Sequence, residues 1–417
     1  MHIVYLHQYF VTNAGSSGTR SYDMARQLVR RGHKVSLITG MLDHSELRCD
    51  RSLWQKHEVE GIDVYVLNID YGSGGRPVKR VACWLMYATL ASMLMLRLRK
   101  PDVVYASSTP PTVALPALVG RLFRRVPFVY ELRDLWPESL IWVGLRDGSV
   151  AVRAMRVFNR LTFRFAERIT TITPGFVGPL HEVYGVPEDH IDVIPLGADS
   201  ELFPMLEPGD PSGPTFREGP IGPEDMVAVY AGAFGRANHL DYLLDAADAL
   251  RDRNDIKFIL VGQGKEKAHL VERIERDGLD NVIVRDPIPK TELARLLPSA
   301  DIGINCVMDG DQNRVAFPNK AFDYLFAGLA VLTTAPTHGG GCLQDLVETE
   351  RCGSGVDACD PKAAATLLRV WADDRAGLRE MGERARAVAL SNYDRDQLAG
   401  DLEDLLRNVV STGGEAA

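Results

Sequence analysis

The chain has 417 residues, of which 46% are hydrophobic and 25% charged, and its net charge is −9. This length accommodates roughly two domains that each bury a core. The acidic balance argues against long nucleic-acid backbones as partners, although a local phosphate pocket stays compatible with it. The six cysteines form no CxxC pair, and the first residues read as a strand, HIVYL, not as a signal peptide. We therefore expect reduced thiols and a cytoplasmic protein.

The first half of the chain alternates apolar runs typical of strands with helical patterns. The predicted strands cover 2–6, 34–39, 102–107, 128–132, 169–175 and 192–197, and a helix covers 19–31. Continuous apolar strands separated by helices are typical of a parallel sheet that is covered on both faces. The sequence therefore predicts a doubly wound α/β domain over residues 1–200.

Residues 81–96 carry no charge and are flanked by Lys79, Arg80, Arg97, Arg99 and Lys100. As a helix this segment is about 24 Å long, which is shorter than the roughly 30 Å of hydrocarbon in a bilayer. Two alternatives stay open: a buried core helix, or an interfacial helix whose flanking cations contact anionic lipid. The second alternative predicts a peripheral membrane contact through 79–100.

The composition changes between Phe203 and Glu224, where six prolines stand among four glycines. Such a stretch is typical of a linker or a long surface loop. The alternation then resumes, with predicted strands at 226–232, 257–262, 281–286, 301–307 and 330–334. We therefore predict a second doubly wound domain over 201–393, with the carboxyl ends of both sheets facing a central cleft. The last helix, within 394–417, is expected to pack back on the first domain.

The loop between the first strand and the first helix is rich in small residues. Gly15 and Gly18 allow backbone N–H groups to approach a ligand closely, and Thr19 can cap the helix. Arg20 is expected to point toward a bound donor. The loop matches neither GxGxxG nor a Walker loop, which argues against a dinucleotide or ATP. The alternative is a loop without a ligand.

A cluster of polar and aromatic residues follows the predicted strand at 128–132. Glu131, Arg133, Asp134 and Trp136 fall where an α/β sheet presents its ligands, so we expect a site there. The alternative is a buried Arg133–Asp134 ion pair that braces the turn.

The opening of the second domain, 230–244, combines small residues with donors. Gly232 and Gly235 allow close backbone approach, while Arg236 and Asn238 offer donors suited to a diphosphate. The nearby Gly262-Gln263-Gly264 is only half of a nucleotide fingerprint, and a simple chain turn explains it equally well.

The segment FPNKAFDYLFAG, 317–328, combines several requirements for holding a nucleotide sugar. Pro318 and Asn319 form a turn at a predicted helix N-terminus, where free N–H groups favour a phosphate. Lys320 adds a positive charge, and Asp323 can accept two hydrogen bonds from a ribose diol. The segment therefore predicts a donor site.

Asp309-Gly310-Asp311 has the DxD spacing that some glycosyltransferases use to hold a divalent metal. Its late position in the chain argues against that role. We expect neither a metal nor a resident cofactor.

Together these stretches resemble the family-4 retaining glycosyltransferases of the two-domain GT-B fold, and among them bacterial enzymes that assemble surface polysaccharides. The resemblance extends from 7–35 through 103–111, 131–139 and 282–305 to the segment 318–328. It implies that the second domain binds an activated sugar, that the first binds the acceptor, that no metal is required and that the anomeric configuration is retained.

The resemblance also assigns roles to individual residues. Asp323 matches the second acid of the E-x7-E motif, which holds the ribose, whereas Val315 stands at the position of the first acid. Ala233 and Asn238 replace the usual Arg and Lys of the loop. Arg236 and Lys320 are the expected substitutes in stabilising the leaving diphosphate.

On the acceptor side, Arg133 matches the position of a frequent histidine and Asp134 the acid that follows it. Both are expected to be catalytic, with Glu131 and Trp136 contacting the acceptor.

The predicted function is transfer of a sugar from a nucleoside-diphosphate sugar, such as a UDP sugar, to a lipid-linked glycan at the inner face of the membrane. Three alternatives stay open: transfer to a soluble molecule such as a secondary metabolite or a thiol, a nucleotide-sugar epimerase of the same fold, and a binding protein without turnover. The sequence leaves the sugar, the base, the acceptor and the oligomeric state undetermined.

Overall fold

The computed structural model describes residues 1–12, 19–42, 47–50, 52–70, 77–142, 145–204, 214–315, 317–336 and 340–415. The chain divides into two compact units. The first unit comprises Met1–Pro195 and Arg395–Ala417, and the second comprises Leu196–Asp394. The chain thus passes between the units five residues before the predicted boundary at 200, and returns after Asp394.

The first unit contains an eight-stranded sheet with helices between the strands. Its elements in chain order are β1 His2–Leu6, α1 Arg20–Arg30, β2 Lys34–Met41, β3 Trp54–Val59, β4 Ile62–Asp70, α2 Pro77–Arg97, β5 Val103–Ser107, α3 Ala114–Arg124, β6 Phe128–Leu132, α4 Glu138–Trp142, α5 Val150–Phe165, β7 Arg168–Thr171, α6 Val177–Tyr184 and β8 Ile191–Val193. The strand order is β3-β4-β2-β1-β5-β6-β7-β8, and all neighbours are parallel except β3 and β4. The central strands are apolar and fully buried, which is why their runs are continuous in the sequence.

Residues 54–70 form an antiparallel hairpin that the sequence analysis did not predict. Glu60 and Gly61, at its turn, both have positive φ values of 48° and 80°. This backbone conformation matches the twist of a two-residue hairpin. The alternating pattern of DVYVL after Gly61 was the available signal.

The C-terminal helix α15, Arg395–Glu415, lies on the first unit against α1. Leu398, Leu402 and Leu406 join the same buried cluster as Leu28 of α1. Arg395 forms a buried ion pair with Asp23 at the start of α1.

Helices α2, α3 and α5 lie side by side on the opposite face of this sheet from α1. Helix α1 connects β1 to β2 in one direction across the sheet, whereas α2, α3 and α5 connect β4 to β5, β5 to β6 and β6 to β7 in the opposite direction. Because such crossovers are right-handed, the two directions place their helices on opposite faces of the sheet. Neighbouring helices contact each other in the order α2, α3, α5. The Arg124 Nη1 donates to the carbonyl oxygens of Met95 at 2.6 Å and Leu98 at 2.7 Å, which ties α3 to the end of α2.

The uncharged segment 81–96 lies within α2 and has two different sides. Tyr87, Ala91 and Met95 are fully buried against the unit, whereas Leu85 and Met86 are exposed. Among the helices in the described ranges, none is both long and apolar enough to cross a membrane. The core-helix alternative therefore accounts for one side of α2 only.

The second unit contains a six-stranded parallel sheet in the order β11-β10-β9-β12-β13-β14. Its elements are β9 Met226–Ala231, α7 Leu240–Asp248, β10 Ile256–Val261, α8 Lys267–Asp277, β11 Val282–Arg285, α9 Lys290–Leu296, β12 Ile302–Asn305, α10 Asp311–Val315, α11 Asn319–Phe326, β13 Ala330–Ala335, α12 Cys342–Thr349, β14 Gly353–Asp357, α13 Pro361–Asp373 and α14 Arg375–Asn392. The prediction of two doubly wound α/β domains is confirmed. The edge strand β14, whose sequence is GSGVD, was not predicted because it lacks an apolar run.

The Pro- and Gly-rich stretch does not link the two units, so the linker interpretation is wrong. Its described parts, 203–204 and 214–224, belong to the second unit, and Phe216 is fully buried. Arg217 donates to the Asp301 carboxylate at 2.9 Å and to the Ser299 carbonyl oxygen at 3.1 Å. Residues 205–213 lie outside the described residues.

Candidate functional site

Helix α11 begins at Asn319, as predicted for the segment 317–328, and a tyrosine one turn along it fixes its position. The Ala231 N–H at the end of β9 donates to the buried Tyr324 Oη at 2.9 Å. Gly303 of β12 leaves the space for this ring, since a Cβ there would lie 2.2 Å from Tyr324 Cγ. These contacts place the first turn of α11 beside the loop that follows β9.

Lys320 lies in this first turn and contacts that loop directly. Its Nζ donates to Asn238 Oδ1 at 3.1 Å and to Tyr230 Oη at 3.2 Å, and it lies 4.3 Å from the centre of the Tyr230 ring. Tyr230 Oη and Asn238 Nδ2 both donate to the Ala233 carbonyl oxygen, at 2.8 and 2.9 Å. The structure thus brings together Lys320 and Asn238, which are 82 positions apart in the chain.

Among the residues that the structure describes, no acid pairs with the charge of Lys320. Burial lowers the pKa of Lys320 to about 8, and the nearby Cys306 opposes this effect only weakly. Burial also raises the pKa of Cys306 to about 12, so this thiol is neutral at pH 7. Within the part of the chain that the structure describes, Lys320 has no ion pair with a carboxylate. A half-buried ammonium group in this position favours a bound anion.

The shape of the loop after β9 depends on two glycines of the GQG sequence. A Cβ at Gly262 would lie 1.9 Å from the Gly232 carbonyl oxygen, and one at Gly264 would lie 2.2 Å from the Phe234 carbonyl oxygen. The Phe234 N–H donates to the Gln263 carbonyl oxygen at 2.9 Å. Residues 262–264 therefore pack against the loop after β9 and hold its shape, a role that the short motif alone did not indicate.

The remaining predicted residues of this loop differ in their surroundings. A Cβ at Gly232 would come within 3.2 Å of Tyr230 Oη and 3.6 Å of Lys320 Cε, so a larger residue would crowd the lysine. A Cβ at Gly235 would meet only Asn238 Nδ2, at 3.9 Å, so there is space for a side chain at this position. Arg236 is exposed, and its role in holding a diphosphate stays a prediction.

Asp323 is 8% exposed and forms an ion pair that the sequence did not indicate. Lys290, at the start of α9, contacts Asp323 Oδ2, and its Nζ also lies 5.8 Å from the centre of the Phe203 ring. Among the described contacts, Oδ1 has no partner and can still accept a hydrogen bond. Pro318 is half-buried and Asn319 exposed at the start of the same helix.

Asp309 lies before α10 and Asp311 is its first residue, and both side chains are exposed. Asp311 Oδ1 lies 3.5 Å from Arg314 Nε. Within the described ranges, no group of three or more His, Cys, Asp or Glu side chains could hold a metal ion.

In the first unit, Arg133 contacts a buried histidine at the carboxyl end of β1. Arg133 Nη1 donates to His7 Nε2 at 3.1 Å, and His7 Nδ1 lies 2.7 Å from Ser21 Oγ. Burial and the Arg133 charge lower the pKa of His7 to about 3. Because Arg133 can only donate, His7 is neutral, accepts at Nε2 and donates from Nδ1. His7 was not among the predicted site residues.

The predicted Arg133–Asp134 ion pair is wrong as an alternative. Arg133 is occupied by His7, whereas the exposed Asp134 accepts from Thr109 Oγ1. Trp136 is half-buried, and its ring packs edge-on against Trp84 of α2 at 5.5 Å between centroids. The catalytic and acceptor-binding roles of Arg133, Asp134 and Trp136 stay predictions.

The predictions for Arg20 and Glu131 are wrong, because both side chains are in the core. Arg20 is 1% and Glu131 0% exposed, and Arg20 Nε donates to Glu131 Oε1 at 2.8 Å. Arg20 also donates to the carbonyl oxygens of Ile194, at 2.8 Å, and Pro195. A donor or an acceptor cannot reach these groups. Gly15 and Gly18 lie outside the described residues.

Burial on its own would raise the pKa of Glu131, but the Arg20 and Arg133 charges and hydrogen bonds from Ser107 and Arg20 lower it to about 2. The pair therefore stays ionised inside the unit. It holds together β6, α1 and the segment that follows β8.

The fold is that of a two-domain α/β protein, and Lys320 places an ammonium group at the start of α11 in its second unit. Two family models match the chain: "Glycosyl transferase 4-like domain" over residues 15–197 and "Glycosyl transferases group 1" over residues 225–374. The chain belongs to the family-4 glycosyltransferases of the GT-B fold.

Among related sequences, one is glycosyl transferase WcaI of Escherichia coli strain K12, which is assigned to colanic acid biosynthesis. The two chains are 23% identical over 409 residues, and the match covers 94% of this chain and 95% of the relative. It is 27% identical over 258 residues to a D-inositol 3-phosphate glycosyltransferase of Paenarthrobacter aurescens strain TC1. That match covers 56% of this chain and 59% of the relative. Among solved structures, Anabaena Alr3699/HepE in complex with UDP has a TM-score of 0.71 and 16% identity, with 98% of this chain and 100% of that chain covered.

If Arg20 is structural, Arg20→Met should lower the free energy of unfolding by about 3–5 kcal/mol, because it leaves Glu131 charged and buried without its partner. Urea unfolding followed by circular dichroism would measure this. The double variant Arg20→Met/Glu131→Gln should regain part of the loss, since no buried charge then stays unpaired. An Arg20→Met variant as stable as the parent would contradict the structural role.

Proposed function

We propose that the protein moves a sugar from a nucleoside-diphosphate sugar to a lipid-linked glycan acceptor, with retention of configuration and without a metal. The observation that carries the proposal is the ammonium group of Lys320 at the N-terminus of α11, which has no carboxylate partner in the described ranges. Family membership supports the transfer reaction. Alr3699/HepE was solved in complex with UDP, which supports UDP as the nucleotide of the donor.

The position of Lys320 explains how this chain can lack the usual lysine of the loop after β9. Asn238 stands at the position where the family commonly has Lys, and Lys320 Nζ lies 3.1 Å from Asn238 Oδ1. The positive charge is therefore supplied to the same place from α11 instead of from the loop. The exposed Arg236 two residues earlier is the second cation that can contact a diphosphate.

The chemical step requires stabilisation of the negative charge that grows on the leaving diphosphate as the anomeric carbon becomes cationic. Lys320, Arg236 and the N-terminal dipole of α11 stabilise that charge. Lys320 serves this role well because no protein carboxylate competes for it among the described residues.

Asp323 holds the ribose of the donor through its carboxylate. Oδ1 is available to accept from a hydroxyl, whereas Oδ2 is paired with Lys290. Lys290 thus orients the buried carboxylate before the nucleotide arrives.

On the acceptor side, Arg133, Asp134 and Trp136 contact the glycan. Arg133 is held by the neutral His7, which accepts its hydrogen bond and adds no charge of its own. The match over nearly the full length to the relative assigned to colanic acid biosynthesis supports a glycan acceptor. The lipid anchor and the inner face of the membrane are parts of the proposal. The partial match to D-inositol 3-phosphate glycosyltransferases supports the alternative of a small soluble acceptor.

We expect Lys320→Ala and Asp323→Ala each to weaken UDP binding about 10- to 150-fold, because each removes a charge-assisted contact worth roughly 1.5–3 kcal/mol. Isothermal titration with UDP and with a second nucleoside diphosphate would measure this. Lys290→Ala serves as the matched variant of the ion pair. It should weaken UDP binding less than Asp323→Ala does, because the carboxylate loses the partner that orients it but can still accept from the ribose. Lys362→Ala on α13 is the control. Unchanged affinity in both the Lys320 and Asp323 variants would remove α11 from the donor site.

The affinity for UDP should fall as the pH rises through the Lys320 pKa of about 8. Below this pH the ammonium group is charged and attracts the diphosphate, and above it the free protein carries a neutral amine, so binding must include proton uptake. Titrations between pH 7 and pH 9 should show affinity falling up to about tenfold per pH unit above pH 8. Lys320→Met should flatten this dependence. A parent protein with the same affinity at pH 7 and pH 9 would contradict the role of Lys320.

Because Arg236 and Lys320 take the place of a metal in the proposal, turnover of a UDP sugar should survive EDTA and gain nothing from magnesium or manganese. The assay should follow UDP release with and without added lipid-linked and soluble acceptors. Loss with EDTA and rescue by manganese would instead assign Asp309 and Asp311 as ligands. Sugar conversion without any acceptor would favour the epimerase alternative.

A further inference from the structure

Three neighbouring helices on one face of the first unit have an unusual charge distribution. Helices α2, α3 and α5 contain 21, 11 and 16 residues and no Asp or Glu. They contain nine basic residues: Lys79, Arg80, Arg97, Arg121, Arg124, Arg153, Arg156, Arg160 and Arg164. The whole chain has more acidic than basic residues, 56 against 47. The outward side of these three helices is called the basic face below.

The basic face also exposes large apolar side chains. Sixteen large hydrophobic residues are exposed in the described part of the chain, and ten of them lie on these helices. They are Val81, Leu85, Met86, Leu96, Leu122, Phe123, Val150, Val157, Leu161 and Phe165. Phe123 is 74% and Val150 84% exposed. Such a concentration on one surface is typical of an interaction site.

The opposite face of the same unit shows that this pattern is local. Helices α1 and α15 expose no large hydrophobic residue among those that the structure describes. Helix α15 carries Asp396, Asp401, Glu403, Asp404 and Glu415 against two arginines. Helix α1 adds Arg20, Arg26 and Arg30 against Asp23, so this face carries both signs of charge. The absence of acids and the exposed large apolar side chains are therefore features of the basic face.

Most cations of the basic face have no acidic partner. Arg121 pairs with Glu167 at 2.8 Å, and Arg156 pairs with Glu138 at 2.9 Å. Within the described residues, the other seven form no ion pair. On α5, Arg153 and Arg164 are exposed and lie close in sequence to exposed Val157, Leu161 and Phe165. Cations and apolar groups are thus interspersed, not separated into two patches.

We propose that the basic face docks on a bilayer surface that contains anionic phospholipid. Guanidinium groups contact the headgroups, and the interspersed apolar side chains enter the interfacial region below them. Three helices side by side offer a broad surface, and the absence of acids removes the repulsion that the chain's net charge of −9 would cause elsewhere. This docking goes beyond the proposed transfer reaction, does not depend on it, and extends the predicted 79–100 contact to α3 and α5.

The test is flotation of the full chain with vesicles of phosphatidylcholine alone or with 30 mol% (about one lipid in three) phosphatidylglycerol. The parent should float with the anionic vesicles at low salt, and less so as screening increases. Arg153→Gln/Arg164→Gln on α5 should lower the partition coefficient about 30-fold, because each cation contributes about 1 kcal/mol and 1.4 kcal/mol is tenfold. Leu122→Ser/Phe123→Ser should reduce the binding that persists at higher salt.

Lys362→Gln/Arg379→Gln on α13 and α14 of the second unit is the matched control, with the same change in net charge and exposed positions. It should float like the parent. Equal recovery with neutral and anionic vesicles, or an equal loss in the control, would overturn the proposal. So would a dimer in sedimentation velocity that Leu122→Ser/Phe123→Ser dissociates while vesicle binding is absent, since the face would then serve a second copy. UDP binding, measured without vesicles, separates a failure of docking from a failure of the proposed reaction.

Discussion

The hydrogen bond between the Ala231 N–H and Tyr324 Oη is the contact on which the candidate donor site depends. It joins the end of β9 to α11 inside the second unit, where the Gly303 backbone leaves room for the ring. Lys320 lies one turn before Tyr324 and is thereby carried to the loop after β9. A lysine held in this way loses solvent without gaining a carboxylate, which is an unfavourable arrangement for stability and a favourable one for binding an anion.

The first unit uses the same chemical groups for the opposite purpose. Arg20 and Glu131 neutralise each other in the core and satisfy two further carbonyl oxygens, so they stabilise the junction of β6, α1 and the chain after β8. Arg133, two residues after Glu131, is only half-buried and bonds to a neutral histidine. The difference between a structural and an available arginine is thus the charge of its partner. Glu131 cancels the charge of Arg20, whereas His7 leaves that of Arg133 intact.

The two faces of the first unit complement the proposed function. Helix α15 covers one face with buried leucines and with exposed Asp396, Asp401 and Asp404, whereas the basic face leaves cations and apolar side chains exposed on the other. Trp136, a proposed acceptor contact, packs against Trp84 of α2. The proposed acceptor contact Trp136 therefore lies next to α2, which is one of the three helices proposed to dock on the bilayer. A lipid-anchored acceptor would be held by the same surface.

The sequence by itself determined the fold class, most strands and the start of α11, because these depend on local patterns: apolar runs, a Pro-Asn turn and a glycine after the helix. It did not determine the β3–β4 hairpin or β14, whose strands are partly exposed or short of apolar residues. The sequence analysis also predicted Arg20 and Glu131 as site residues. A charged residue near the end of a strand gives the same local pattern whether it contacts a ligand or an ion-pair partner 111 positions away. Only the tertiary structure paired Lys290 with Asp323 and Lys320 with Asn238, and only it brought α2, α3 and α5 into one acid-free layer. Contacts of this kind depend on how the sheets order their strands, and no local pattern records that order.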